Sequence, residues 1–496
     1  MNGALENLLV YAKRHLELDP RDEVYVRNRL LEALGEEDYE EGKTPAATAD
    51  NPEEAVGLLV DFARKKGLIQ EEEREYFAFK LLDMVALYPS EIIDRFQEKY
   101  AKSPLSAFEW LHKYNVKSDY VRAGKIAKNI KWIYEGSKGN LEITVNLSKP
   151  EILHTEVKKA AQKRGGYPKC AICAENIGYA GKGTYRQNLR AVPLTLGGEE
   201  YFWQFSPYAY FHHHGIAVSL EHKPMRVDLK TAGKLFDFVD YIPDYFIGSN
   251  AGLPRVGGSI LAHDHFQGGL HRMPLFETGT RRRLLADGFK NTDITVPEWY
   301  NSVIRLRGRD RAEIEEIARK IISAWEAYDD LENDIIARTD EQHNGFSVIA
   351  RKEGGTYILD VVLRNNRTSG EYPDGIFHAH PEYHHIKSEG IGLIEASGLF
   401  VLPPRLKGQL GYVQAVLADE IQEPKFEGDL EPFRDMASSL GKNGKMTPEA
   451  AEEAVRKEVG RICEKILENI AVFKDTEKGR LGFRRFLESI GLKEVE

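Results

Sequence analysis

The hydrophobic period of this chain changes near Gly139, and the change dictates which folds are open to it. Before that point, Leu5, Leu8, Leu9 and Ala12 recur at helical spacing. Val56, Leu59, Val60, Phe62 and Ala63 do the same after a helix-start signal at Asn51 to Glu54, and the stretches Glu71 to Leu87 and Glu91 to Tyr114 continue the pattern. Past Gly139, Leu141, Ile143, Val145 and Leu147 alternate with Glu142, Thr144, Asn146 and Ser148, the period of two expected of a half-buried strand. A purely helical bundle and an all-β sandwich are both excluded, leaving an α+β chain.

Further strands are expected at Gly215 to Leu220, Gly258 to His265 and Gly375 to His380, with a helix from Asp228 to about Phe246 between the first two. Asp310 to Tyr328 reads as a helix, and Phe346 to Arg351 with Tyr357 to Arg364 as a hairpin turning at Gly354-Gly355. The tail is helical again from Pro448 to Phe473 and from Arg480 to Leu492. This reading divides the chain into a helical region over 1–120, a first module over 121–290, a second over 291–420 and a helical region over 421–496. Each module carries a His-x-His, His263-Asp264-His265 and His378-Ala379-His380, which suggests a duplication.

A chain of 496 residues exceeds single-domain size, and with 42% hydrophobic and 29% charged residues it has material for real cores. Its net charge of −10 gives no global attraction to nucleic acid or anionic lipid, so a bound phosphate must meet a local site. No apolar run approaches the roughly 20 residues of a membrane span. The N-terminus has Glu6 within its apolar run, unlike a signal peptide, and three cysteines imply no disulfide framework, so a cytoplasmic location is expected.

Twelve of the fifteen histidines lie between His212 and His385, placing the chemistry in the α+β part. Alternation puts His263, His265 and Gln267 on one strand face, flanked by Gly257, Gly258, Gly268 and Gly269, which let phosphates approach the backbone. A neutral imidazole there can attack phosphorus while an amide holds a non-bridging oxygen. Asp264 is expected to face away. A His-x-His is equally the mark of a metal pair or a hydrogen-bonded strand face. Cys170-Ala171-Ile172-Cys173 is half of a tetrahedral zinc site. The remaining thiol, Cys463, falls on an apolar helical face and reads as core, so the missing ligands would be histidines. His222 and His263 are the candidates, with His212 to His214 as competitors.

These strips together resemble the type 2 bacterial family of galactose-1-phosphate uridylyltransferases, in the transferase branch of the histidine-triad superfamily. The resemblance rests on Gly258-Ser259 through His263-x-His265-x-Gln267, on Ser249-Asn250, and on the CxxC with Asn176 after it. It extends over Arg122 to Pro150, Tyr167 to Gly181 and Val361 to Leu406, and covers nearly the whole chain. It implies two histidine-triad-like modules, each an antiparallel sheet with helices. It also implies transfer of a uridylyl group from UDP-glucose to galactose 1-phosphate, giving UDP-galactose and glucose 1-phosphate.

By that resemblance His265 is the nucleophile and Gln267 holds the phosphoryl oxygens, while Asn250 and Ser259 contact the nucleotide phosphates. Cys170, Cys173, His222 and His263 fall where type 1 relatives bind zinc, so zinc is the metal expected. His378 and His380 fall in a strip that carries another metal there, and iron is not expected here. Asp264 and Phe266 depart from the type 1 pattern of Pro and Gly. The partners implied are the two sugar substrates, with no nucleic acid or membrane; the helical terminal regions leave a homodimer open, with no strip in them that specifies one. The rival readings are another histidine-triad nucleotidyltransferase or phosphorylase, a zinc hydrolase and a zinc-binding module.

Overall fold

The computed structural model describes residues 1–40, 49–148, 166–181, 186–258 and 260–495. Two compact units emerge, the first built from described residues of Met1–Gly124, Lys163–Ala209 and His213–Lys223, the second from those of Lys125–Gln162, Tyr210–His212 and Pro224–Glu496.

In the first unit the helical periodicity folds as read. Helix Asn2–His15 buries Leu5, Leu8, Leu9 and Ala12, and helix Pro52–Lys65 buries Ala55, Val56, Leu59, Val60 and Ala63. Each buried Leu or Val side chain contributes about 1.5–3 kcal/mol. Asn51 caps the second of these by accepting the Glu54 N–H at 2.9 Å, with Pro52 in the first turn where no amide proton is needed. Helices Pro89–Tyr100 and Pro104–Lys117 start on proline in the same way. A hairpin not foreseen from the sequence follows, Val192–Leu196 and Glu199–Phe205, and Gly215–Ser219 completes a three-stranded antiparallel sheet. Its buried Trp203 packs edge-on against Phe108 at 5.9 Å, fastening helix Pro104–Lys117 to the sheet.

In the second unit, eight antiparallel strands make the main sheet. Their order runs Leu492–Glu494, Thr280–Ala286, Phe289–Pro297, Val303–Gly308, Thr356–Asn365, Asn344–Glu353, Phe246–Ser249 and His265–Gly269. The Asn344–Glu353 and Thr356–Asn365 hairpin turns at Gly354 and Gly355, whose φ angles of +53° and +80° suit glycine. Helices Thr231–Tyr241 and Arg311–Glu326 pack on this sheet, the latter capped by Asp310 and the former starting after Lys230 rather than at Asp228. A smaller sheet joins Ile130–Gly136 and Gly139–Val145 as a hairpin, with Leu399–Leu402 parallel to the second strand. A continuous apolar core links Leu141, Ile143 and Val145 to Val362, Leu393, Phe400 and helix Pro448–Ile470, where Cys463 is buried as read. The α+β class and the helical N- and C-terminal regions are thus present.

Two strand expectations are corrected. The strand placed at Gly258 to His265 begins only at His265 and runs to Gly269, because Gly257 and Gly258 take φ of +97° and +83°, which a strand cannot continue through. Residues Gly375 to His380 form no strand either. Gly375 has φ of +132° and His380 caps a short turn of helix, Pro381–Tyr383. The triple His212-His213-His214 lies in a turn ahead of a strand, where His213 packs on His112 at 4.3 Å and on Phe205 at 5.8 Å inside the first unit.

Candidate active site

His265 opens a strand that pairs antiparallel with Phe246–Ser249, with Gly248 opposite Gln267. Its imidazole is 8% exposed and its Nδ1 lies 2.8 Å from the carbonyl oxygen of His263. A carbonyl can only accept, so Nδ1 carries the proton and the lone pair sits on Nε2. Burial holds the imidazole below its ordinary titration range, keeping it neutral. The site therefore presents a neutral, oriented imidazole whose free Nε2 has the chemistry a nucleophile needs.

Gln267 follows two residues along the same strand, half-buried. Asn250, at the end of the neighbouring strand, is 4% exposed, and its Oδ1 accepts the Leu393 N–H at 2.9 Å. That bond fixes the amide, so the donating Nδ2 sits on the Gly258 side, 3.3 Å from where a side chain on Gly258 would begin. Gly257 packs so closely on Gly392 that an added Cβ would lie 2.4 Å from its Cα. Asp264 is buried, and its Oδ1 accepts the Arg226 N–H at 3.4 Å, tying down the loop beside His265. Ser259 lies outside the described residues.

In the first unit Cys170, Cys173 and His222 come together. Their ligand atoms lie within 4.8 Å of one another, with the two Sγ atoms 3.3 Å apart and Cys173 Sγ 3.2 Å from His222 Nδ1. The local fold that brings this about is a knuckle: Asn176 Nδ2 donates to both the Cys170 and the Cys173 carbonyl oxygens at 2.9 Å. The Cys170 thiol is drawn down to about 7, chiefly by its hydrogen bond with Cys173. Two soft thiols and an imidazole, one thiol already inclined to ionise, form a donor set that fits zinc. His263, in the second unit, is 1% exposed.

The second His-x-His is differently built. His380 Nε2 donates to the Ile376 carbonyl oxygen at 3.2 Å, Nδ1 accepts from Asn469 Nδ2 at 3.1 Å, and the ring stacks on Tyr372 at 4.1 Å. Both of its nitrogens are spent on the protein. Among the described residues, His378 and His380 belong to no group able to hold a metal.

Sequence reasoning missed the support beneath this site. Arg364, Lys387 and Glu395 are all buried around the Gly390 to Leu393 turn that meets Asn250. The available signal was an Asp360 and an Arg364 set in an otherwise apolar strand, where buried charge demands partners.

Two family models account for most of the chain: galactose-1-phosphate uridyl transferase, N-terminal domain, over residues 16–224, and its C-terminal domain over residues 237–428. The chain is a nucleotidyltransferase enzyme. Curated relatives span it end to end. The galactose-1-phosphate uridylyltransferase of Fusobacterium nucleatum is 36% identical over 98% of each chain. Those of Caldanaerobacter subterraneus and Bacillus subtilis are each 37% identical, over 99% of this chain and 98% of theirs. The chain belongs to the galactose-1-phosphate uridylyltransferase family. Among solved structures, yeast Ap4A phosphorylase Apa2 matches at 13% identity with a TM-score of 0.32, covering 59% of this chain and 86% of that one.

Proposed function

We propose that this enzyme transfers a uridylyl group from UDP-glucose to galactose 1-phosphate through a covalent intermediate on His265. The observation that carries the reading is the His265 Nδ1 to His263 carbonyl hydrogen bond at 2.8 Å. In the first half-reaction Nε2 attacks the α-phosphorus of UDP-glucose. The bond from that phosphorus to the bridging oxygen breaks, and glucose 1-phosphate leaves with the electron pair. The ring becomes positively charged as the P–N bond forms, and the His263 carbonyl stabilises the Nδ1–H of that cation. In the second half-reaction a phosphate oxygen of galactose 1-phosphate attacks the same phosphorus, the P–N bond breaks, and His265 returns to neutrality as UDP-galactose departs.

Gln267, the Nδ2 of Asn250 and Ser259 are assigned to the non-bridging oxygens. As a neutral amide, Gln267 has no acidic proton to give a leaving group, which favours waiting for a sugar phosphate over hydrolysis. Cys170, Cys173, His222 and His263 are assigned as zinc ligands. Bound zinc would cross-link the Cys170 to Asn176 knuckle and carries no step of the transfer. No described helix is long and apolar enough to cross a membrane.

Intact-protein mass after mixing with UDP-glucose alone tests the reading. A uridylyl adduct on the wild type that is absent from His265→Ala, and that galactose 1-phosphate discharges, is the expected result. A folded, metal-replete protein that forms no adduct sinks the covalent mechanism.

A further inference from the structure

Arg364 is 2% exposed, and burial lowers its guanidinium to about 10. Its Nη2 donates to the Ile391 carbonyl oxygen at 2.7 Å, while Nε and Nη1 are buried with no hydrogen-bond partner among the described residues. The acid whose charge acts on it is Glu395, which already accepts from the Gly392 N–H at 3.1 Å and pairs with Lys387 at 3.2 Å. A buried cation with idle donors costs stability, and an uncharged donor would satisfy the Ile391 carbonyl equally well. The position therefore calls for an explanation beyond packing.

Its place in the sheet supplies one. Arg364 pairs with Gly345 on the adjoining strand, and that strand pairs in turn with the Phe246–Ser249 strand that leads into Asn250. The turn held by Arg364 is the one whose Leu393 N–H fixes Asn250, and whose Gly392 abuts Gly257. A chain of direct contacts thus runs from Arg364 through Ile391 to Leu393 and so to the amide of Asn250.

We infer that Arg364 is a positioning residue for the nucleotide phosphates: it pins the Ile391–Leu393 turn so that Asn250 keeps its Nδ2 donor aimed toward Gly258. The inference rests on the uridylyl-transfer reading above. The ligand class is a nucleoside diphosphate, and the effect is on its binding rather than on the chemistry at His265.

The test measures UDP affinity by calorimetry, beside turnover of UDP-glucose, in Arg364→Met, Arg364→Lys, Gly392→Ala and Asn250→Ala. Losing a charged buried hydrogen bond predicts UDP binding weaker by about tenfold in Arg364→Met. KM for UDP-glucose should rise in step, with kcat within about threefold of wild type. Arg364→Lys restores part of the affinity. In the double variant with Asn250→Ala the loss is no greater than in Asn250→Ala alone, because both act through one amide. A residue that only stabilised the fold would lower the melting temperature and leave the affinity of the folded protein unchanged.

Wild-type UDP affinity in a folded Arg364→Met protein, or losses that add fully to that of Asn250→Ala, overturns the inference. If Arg364→Met does not fold, Gly392→Ala decides. An added Cβ there would lie 3.0 Å from Asn250 Oδ1, so it should weaken UDP binding with Arg364 intact, and unchanged affinity refutes the proposal. Failure of the transfer reading looks different, since the wild type would then neither turn over UDP-glucose nor bind UDP.

Discussion

The carbonyl oxygen of His263 accepts the Nδ1–H of His265 at 2.8 Å, so the backbone of one histidine sets the tautomer of the other. Replacing His265 by Ala removes the proposed nucleophile while the carbonyl and the strand remain. Uridylyl transfer should fall by on the order of 10⁴-fold or more, with the melting temperature nearly unchanged. Steady-state turnover and a thermal scan of the same preparation check both halves.

The metal assignment predicts one zinc per chain as purified. Cys173→Ser should lose it and lower the unfolding temperature, since Asn176 then holds a knuckle with no cross-link. Elemental analysis with calorimetric unfolding reads this out, and a metal-free wild type of unchanged stability would refute it.

His380→Ala separates the two His-x-His strips. With its nitrogens committed to Ile376 and Asn469, the loss should be structural, about 1–2 kcal/mol, with zinc content unchanged. A fall in metal content would instead place a metal at the second strip.

The His265-x-Gln267 pair was legible because both positions sit on one real strand, and the Gly354-Gly355 hairpin because its turn chemistry is local. The strand expected from Gly258 failed because alternation of side chains carries no record of the positive φ at Gly257 and Gly258. Strands Thr280–Ala286 and Phe289–Pro297 were missed because Arg281, Arg282, Arg283 and Asp293 interrupt their apolar pattern. The task of Arg364 was invisible for a different reason: it depends on a turn 27 residues further along the chain.

Gly257→Ala should be among the most damaging single changes in the second unit. A side chain would be forced into a φ of +97° and to within 2.4 Å of Gly392 Cα, at a cost of about 2–3 kcal/mol or more. Denaturant unfolding measures the loss, and activity should fall with it because Gly392 supports Asn250.

Asp475 gathers Arg281 at 2.7 Å, Arg480 at 2.9 Å and Lys138, and the bond from Arg281 leads in holding its carboxyl well below the usual range. A carboxyl depressed in the folded state adds stability that is complete above its unfolded pKa of about 4 and is lost as pH falls toward the folded value. Asp475→Asn should therefore cost about 1 kcal/mol at pH 7, allowing for solvent screening. The gap should narrow between pH 4 and pH 2. Urea midpoints of both proteins across that range give the answer.

The parallel pairing of Glu142 with Leu399 has a consequence for biosynthesis. During translation the Gly139–Val145 strand leaves the ribosome on the order of 250 residues before its partner exists. At roughly 5–20 residues per second, its free backbone edge waits ten seconds or more for Leu399–Leu402 to pair with it. The nascent chain is thus open to premature strand pairing along that edge until well into the synthesis of the second unit, and a ribosome pause before Leu399 would lengthen that exposure.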